Sequence, residues 1–242
     1  MSEIANYHQQ VYLYRTSTGE YWLPESRTDH LIQTIINNQI FDQPLLDEMT
    51  SRLKQGDTVL DVGSNFGQTA VLLSKAVGPS GNVLAFEAEP WVYEVLKRNI
   101  KQNLCTNTQV YFGAVWDELG QTLLYPKDDL VTYESHGSYG INPIADTGQS
   151  IPSITIDSLE LDRVDLIKID VQGADLRAMK GCRSTIQQHR PTIIFEYEPS
   201  FDAMFNTTWQ DYLDFIVEID YRIVKTISYV NVLIEPNNVD KQ

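Results

Sequence analysis

From Thr58 onward, short apolar runs recur between stretches with helical spacing. TVLDV (58–62), NVLAFE (82–87), a run over 109–115, DLIKID (165–170) and TIIFE (192–196) read as strands. Helices are predicted between them at about 67–77, 90–103 and 173–189. The strands are apolar almost throughout, as in a parallel sheet covered on both faces. Strands alternating with such helices predict βαβ units. After a helix over 207–219, YRIVKTIS and VNVLIEP read as a terminal antiparallel pair. The expected fold class is therefore α/β, a mostly parallel seven-stranded sheet ended by an antiparallel hairpin, with strand order 3-2-1-4-5-7-6.

Two segments stand outside this alternation. VYLYRTSTGEYWL (11–23) reads as two aromatic-rich strands around a Thr-Gly turn. Residues 29–54 read as helical, with apolar positions at Leu31, Ile32, Ile35 and Ile36 and then Leu45, Leu46, Met49 and Leu53. Residues 1–55 are expected to form a hairpin-and-helix cap packed on the main domain, 56–242. Residues 117–153, rich in Gly, Ser, Tyr and Asp, are expected to be an irregular insertion over the C-terminal edge of the sheet.

Composition narrows the function. With 42% hydrophobic and 21% charged residues the chain has material for a large core, and 242 residues suit one α/β domain. A formal charge of -15 without a Lys/Arg cluster argues against nucleic acid as a partner, and against an anionic membrane surface. Cys105 and Cys182 lie in no CxxC or Cys/His cluster and read as reduced thiols rather than a disulfide or zinc site. The opening MSEIANYHQQ lacks a basic region followed by an apolar run, and no stretch approaches membrane-spanning length. A cytoplasmic location is expected.

The segment VLDVGSNFGQTA (59–70) carries the clearest chemistry. Gly63 and Gly67 flank a tight turn from strand to helix, where small residues admit a ligand and the helix start offers free N–H groups. Glu87 ends the next strand, a place suited to holding ribose hydroxyls. The loop reads G-S-N-F-G and lacks the third glycine of the dinucleotide fingerprint, which favours S-adenosylmethionine (SAM) over NAD. Asp61 has two readings, bracing the loop or binding the amino group of SAM.

These residues lead to a family. DVGSNFGQTA, AFEAEP, LIKIDVQGADLRAMKG and PTIIFEYEP, with ITIDSL at 154–159, resemble the FkbM-type methyltransferases over roughly residues 56–235. The resemblance implies a class I (Rossmann-like) methyltransferase fold, SAM as cofactor and O-methylation of sugars, polyketides or related metabolites. It implies that Gly63, Asn65 and Gly67 line the methionine part, Glu87 the ribose, and Ala114 and Val115 the adenine. Ser64, Ala88 and Asp170 are counted with the cofactor-binding set. One departure is Gln172, where members of the family often carry Glu.

Methyl transfer to a hydroxyl needs in-line geometry and a base or metal to take the proton. Asp170, at the end of LIKID, is the first candidate for base or orienting group; its ordinary alternative is capping the helix at 173–181. Glu196 ends the neighbouring strand and is a second candidate, beside a solvated-rim reading that it shares with Glu198. His136, in ESHGSYGINP, is a third, against a plain surface histidine. Asp157 either joins Asp170 around a hard divalent cation or caps a short turn at 158–161; no metal site is predicted. Trp91, Tyr133, Tyr139, Phe195, Tyr197 and Trp209 are candidates for stacking on an acceptor or for packing.

The expected function is SAM-dependent O-methylation of a sugar, glycan or glycosylated metabolite. The alternatives are a non-sugar small-molecule acceptor and a non-catalytic interaction module. An oxidoreductase would want a Tyr-x-x-x-Lys pair, and a base methyltransferase an Asn/Asp-Pro-Pro-aromatic run after strand four, and IDVQGAD stands there instead. Homodimerisation through the cap is left open.

Overall fold

The computed structural model describes residues 10–126, 135–138 and 140–237. Strands β1 (Val11–Arg15) and β2 (Glu20–Pro24) pair antiparallel as expected, Arg15 opposite Glu20. Thr16 closes the turn, its N–H and hydroxyl both donating to the Gly19 carbonyl at 2.9 Å.

The helical stretch expected over 29–54 comprises two helices, α1 (His30–Ile36) and α2 (Gln43–Arg52). Asn38 and Asp42 between them adopt φ of 60° and 46°, which ends helical propagation. Each helix starts on an aspartate. Asp29 accepts from Ile32 N–H at 3.0 Å, and Asp42 from Leu45 N–H at 3.2 Å. Pro44 in the first turn of α2 marks the restart.

The main sheet comprises β3 (Thr58–Val62), β4 (Asn82–Glu87), β5 (Thr108–Phe112), β9 (Leu166–Ile169), β10 (Thr192–Glu196), β11 (Tyr221–Ile227) and β12 (Asn231–Pro236). Its order is β5-β4-β3-β9-β10-β12-β11, with β12 antiparallel to both neighbours and the other pairs parallel. Counted from β3 this is the expected 3-2-1-4-5-7-6. Every residue of β3 is buried, because helices cover both faces. One face packs on α3 (Gln68–Val77), α4 (Pro90–Gln102) and the cap; the other packs on α5 (Asp175–Lys180), α6 (Arg183–His189) and α8 (Trp209–Glu218), α7 being the short Asp202–Phe205.

The cap is keyed to α4 by side-chain amides. Asn99 Oδ1 accepts from Trp22 N–H at 2.6 Å, while its Nδ2 donates to the carbonyls of Trp22 (3.1 Å) and Phe66 (2.9 Å). One helical turn on, Asn103 does the same for Glu20, at 2.9 and 2.7 Å. Four residues of helix rise about 6 Å and two residues of strand nearly 7 Å, so the two amides match alternate residues of β2.

Four expectations are corrected here. The run 109–115 is not one strand: at Gly113 (φ 140°) the chain leaves the sheet. Ala114–Val115 (β6) then pairs with β8 (Gln149–Ile154), which pairs with β7 (Thr122–Tyr125). The insertion at 117–153 therefore contains a small sheet and is not wholly irregular. The helix over 173–189 is broken at Gly181–Cys182 into α5 and α6. Asp157 does not cap its own turn. Its carboxylate accepts from the N–H groups of Ser184 (2.9 Å) and Thr185 (2.8 Å), capping α6. No described helix is long and apolar enough to cross a membrane.

Candidate functional site

The C-terminal ends of β3, β4, β9 and β10 open into one cavity of about 350 Å³. This is the edge where doubly wound sheets take ligands. Its floor is the turn after β3. Gly63 and Ser64 N–H both donate to the Phe86 carbonyl, at 3.0 and 2.9 Å, tying the turn to β4. Asn65 sits in the left-handed region (φ 50°) and gives its N–H to Glu87 Oε2 at 2.9 Å. Glu87 Oε1 accepts from the N–H groups of Ala88 and Glu89, both at 2.8 Å. Oε2 keeps a lone pair for a ligand hydroxyl, whereas Oε1 is filled by its two N–H donors. Burial pushes the Glu87 carboxyl up to about 7, against the pull of those N–H groups.

Gly63, Ser64, Asn65, Gly67, Glu87, Ala88, Ala114, Val115, His136, Asp170 and Glu196 all line this cavity. Asp61 does not. It is fully buried behind the turn, and Lys168 Nζ faces its Oδ1 at 3.4 Å. Of its two readings, bracing is the one its position serves.

Lys168 escaped the sequence reading, although a lone cation in the buried run LIKID is a signal. Its ammonium donates to the Gly63 carbonyl at 2.9 Å and also faces Asp170 Oδ2 at 3.2 Å. Burial opposes its charge, but Asp170 and Asp61 outweigh burial and hold its pKa above the ordinary lysine value. One buried ammonium thus clamps the glycine turn onto two strand ends.

Asp170 does not cap a helix, because α5 starts at Asp175 on the N-cap residue Ala174, with no side-chain cap. Its other oxygen accepts from Gln172 Nε2 at 3.2 Å, and the same amide donates to Glu196 Oε2 at 3.0 Å. Gln172, in the left-handed region (φ 53°), therefore bridges the two carboxyl groups, a job a glutamate could not do without a proton. Glu196 is not a solvated rim group. Burial, then Asp170 and Asp175, push its pKa well above the ordinary carboxyl value, while Asp170 faces the Lys168 ammonium. Asp175 lies fully buried behind them, accepting from Gly173 and Glu196 N–H, both at 3.2 Å.

His136 is a buried wall of the cavity and not a surface residue. Its ring lies 5.4 Å from Phe66 and 5.2 Å from Trp91, and its backbone N–H donates to Asp29 Oδ2 at 2.8 Å. Phe195, Tyr197 and Trp209 pack with Tyr212 and do not line the cavity. Tyr133 and Tyr139 lie outside the described residues.

These carboxyl groups make an acid-dependent stability. Glu87 and Asp175 have folded-state pKa values of about 7, above the ordinary 4.5 and 3.8. A raised carboxyl takes up protons on folding, so its contribution is full at low pH and is lost as pH rises from about 4 through 7, at most about 1.4 kcal/mol per pH unit per group. The urea midpoint is expected to fall from pH 5.5 to pH 7.5. A midpoint that rose over that interval would contradict the burial of both groups.

Comparison with known proteins gives the site its context. The sequence model for the methyltransferase FkbM domain matches residues 61–223. Methyltransferase sdnD of Sordaria araneosa is 24% identical over 200 residues, 68% of this chain and 75% of that protein. Hexuronic acid methyltransferase AglP of Haloferax volcanii is 24% identical over 150 residues, 60% of this chain and 58% of that protein. The fold is shared with the crystal structure of methyltransferase FkbM from Methylobacillus flagellatus at a TM-score of 0.50 and 20% identity, over 75% of this chain and 44% of that one. The chain thus spans under two thirds of the Haloferax protein and less than half of the Methylobacillus chain. The family match covers well over half the sequence and the sheet that shapes the cavity, and on that ground the chain belongs to the FkbM methyltransferase domain family.

Proposed function

We propose that this domain transfers the methyl group of SAM to a hydroxyl of a sugar or glycosylated metabolite. The observation that carries the reading is the single cavity formed by the glycine turn, Glu87 and the Lys168–Asp170–Gln172–Glu196 cluster. Its chemistry fits the cofactor from end to end. The small residues Ala114 and Val115 suit an adenine face, Glu87 a ribose diol, and the Gly63–Gly67 turn an amino-acid group. When bound, SAM supplies a methyl carried on a sulfonium centre.

The residues of the chain do the rest. Asp170, paired with Lys168 at 3.2 Å, accepts a hydrogen bond from the acceptor hydroxyl and takes its proton as the new bond forms. Gln172 fixes the direction of that carboxylate, and Glu196 offers a proton for hydrogen bonding rather than a second base. Phe66, Trp91 and His136 keep water from the inner wall.

Calorimetric titration with S-adenosylhomocysteine, run beside NAD, tests the cofactor assignment. Wild type is expected to bind the homocysteine product and not NAD, and Glu87→Ala to weaken binding at least tenfold, about 1.4 kcal/mol. No binding by a folded wild type would sink the reading.

A further inference from the structure

A second cleft opens from the first. It holds about 840 Å³, within the ~300–1,000 Å³ range of ligand pockets, and shares His30, Phe41, Thr69, Lys168, Asp170 and Glu196 with the cofactor cavity. Its other walls are the α1–α2 connection and the turn between β11 and β12. Asp42 joins those walls, accepting from Ser228 Oγ at 2.8 Å and from Asn231 Nδ2 at 3.0 Å. The cap thus forms one side of a chamber whose far end is the candidate base.

The lining has a definite chemical character. Ser17, Thr18, Thr34, Asn38, Gln39 and Asn231 supply hydroxyl and amide groups that donate and accept in turn. Phe41, at the junction of the two cavities, keeps 39% of its surface exposed, with its backbone N–H fixed by Gln68 Oε1 at 2.9 Å. An exposed ring beside alternating donors and acceptors suits a flat C–H face edged with hydroxyls.

Charge narrows the choice. Asp42, Asp170 and Glu196 line the cleft, and Lys168 and His30 carry its only basic nitrogens among the described residues. The ammonium of Lys168 donates to Gly63 O and is already faced by two carboxylates, Asp61 at 3.4 Å and Asp170 at 3.2 Å. The ring of His30 lies edge-on to Phe41 at 5.8 Å. A carboxylate on the acceptor would meet Asp42 and Asp170 with no free ammonium among the described residues to offset it.

We infer that this cleft between cap and sheet is the acceptor site, and that it takes an uncharged glycosyl unit and discriminates against hexuronates. The inference rests on the methyltransferase reading above and names the acceptor class of that site.

The experiment pairs methyl glucoside with methyl glucuronide, and methyl galactoside with methyl galacturonide. Saturation-transfer NMR on the full chain in the presence of S-adenosylhomocysteine reads binding, and homocysteine-product release from SAM reads turnover. The neutral member of each pair is expected to bind at least tenfold better. Phe41→Ala should weaken the neutral glycosides at least fivefold. Gln39→Lys adds a cation at an exposed rim position outside the cofactor cavity; it should narrow the neutral-to-uronide ratio at least threefold and leave S-adenosylhomocysteine affinity unchanged. Hexuronides that bind as well as their neutral partners overturn the inference, as does a failure of every glycoside to bind a protein that still binds S-adenosylhomocysteine. Loss of S-adenosylhomocysteine binding by wild type defeats the methyltransferase reading itself, and the inference with it.

Discussion

Gly63→Ala is expected to cost about 3 kcal/mol or more and to remove cofactor binding from whatever fraction still folds. The glycine has φ 81°, and a Cβ built there would lie 1.9 Å from the Asp170 carbonyl oxygen and 3.0 Å from its carbon. The obstacle is backbone, so no side chain can swing aside. A left-handed conformation costs an alanine roughly 1 kcal/mol, and overpacking against a rigid neighbour adds about 1–3 kcal/mol. Relief would require β3 and β9 to part where Asp170 N–H donates to the Val62 carbonyl at 3.0 Å. Urea unfolding reads the stability and titration with S-adenosylhomocysteine reads the cavity. Wild-type values in both would mean that the turn does not press on β9 as described.

Lys168→Met should be comparably damaging, for an electrostatic reason. Asp61 is fully buried with neither carboxylate oxygen hydrogen-bonded, and Lys168 is its counter-charge at 3.4 Å. Removing one member of a buried pair typically costs about 3–5 kcal/mol, because the other is left charged and dry. Replacing both, with Asp61→Leu beside Lys168→Met, should recover much of that loss, since the strands around them are apolar. The single variant should also regain stability on acidification, as Asp61 accepts a proton. A loss under 1 kcal/mol in the single variant, with no recovery in the double, would show that the pair is not coupled.

Much of this architecture is written locally. Continuous apolar strands such as TVLDV can only belong to a sheet covered on both sides, and the glycines, Glu87 and Asp170 follow from their places at strand ends. What was missed depends on residues far apart in the chain. Gly113 ends β5 because the insertion provides β8 as a new partner, and nothing within 109–115 announces that. The restart of α2, by contrast, is local, since Asp42-Gln43-Pro44 carries both the cap and the first-turn proline. Lys168 was visible as an oddity, but its three partners come from β3, the glycine turn and Asp170. The Asp42–Ser228 contact spans 186 residues, and the second cleft exists only because of such closures.

The carboxylate of Asp29 has a consequence for the order in which the molecule assembles. One oxygen starts α1 at Ile32, and the other holds His136, a wall of the cofactor cavity, across a separation of 107 residues. Closing a loop of that length is entropically costly until the strands between are in place. The start of α1 can form early, whereas the His136 contact must wait for β3, β4 and β5. The inner wall of the cavity is therefore a late acquisition in folding and an early loss in partial unfolding. Amide exchange at His136 should outpace that of β3, and a ligand filling the cavity would slow it before it slows anything in the sheet.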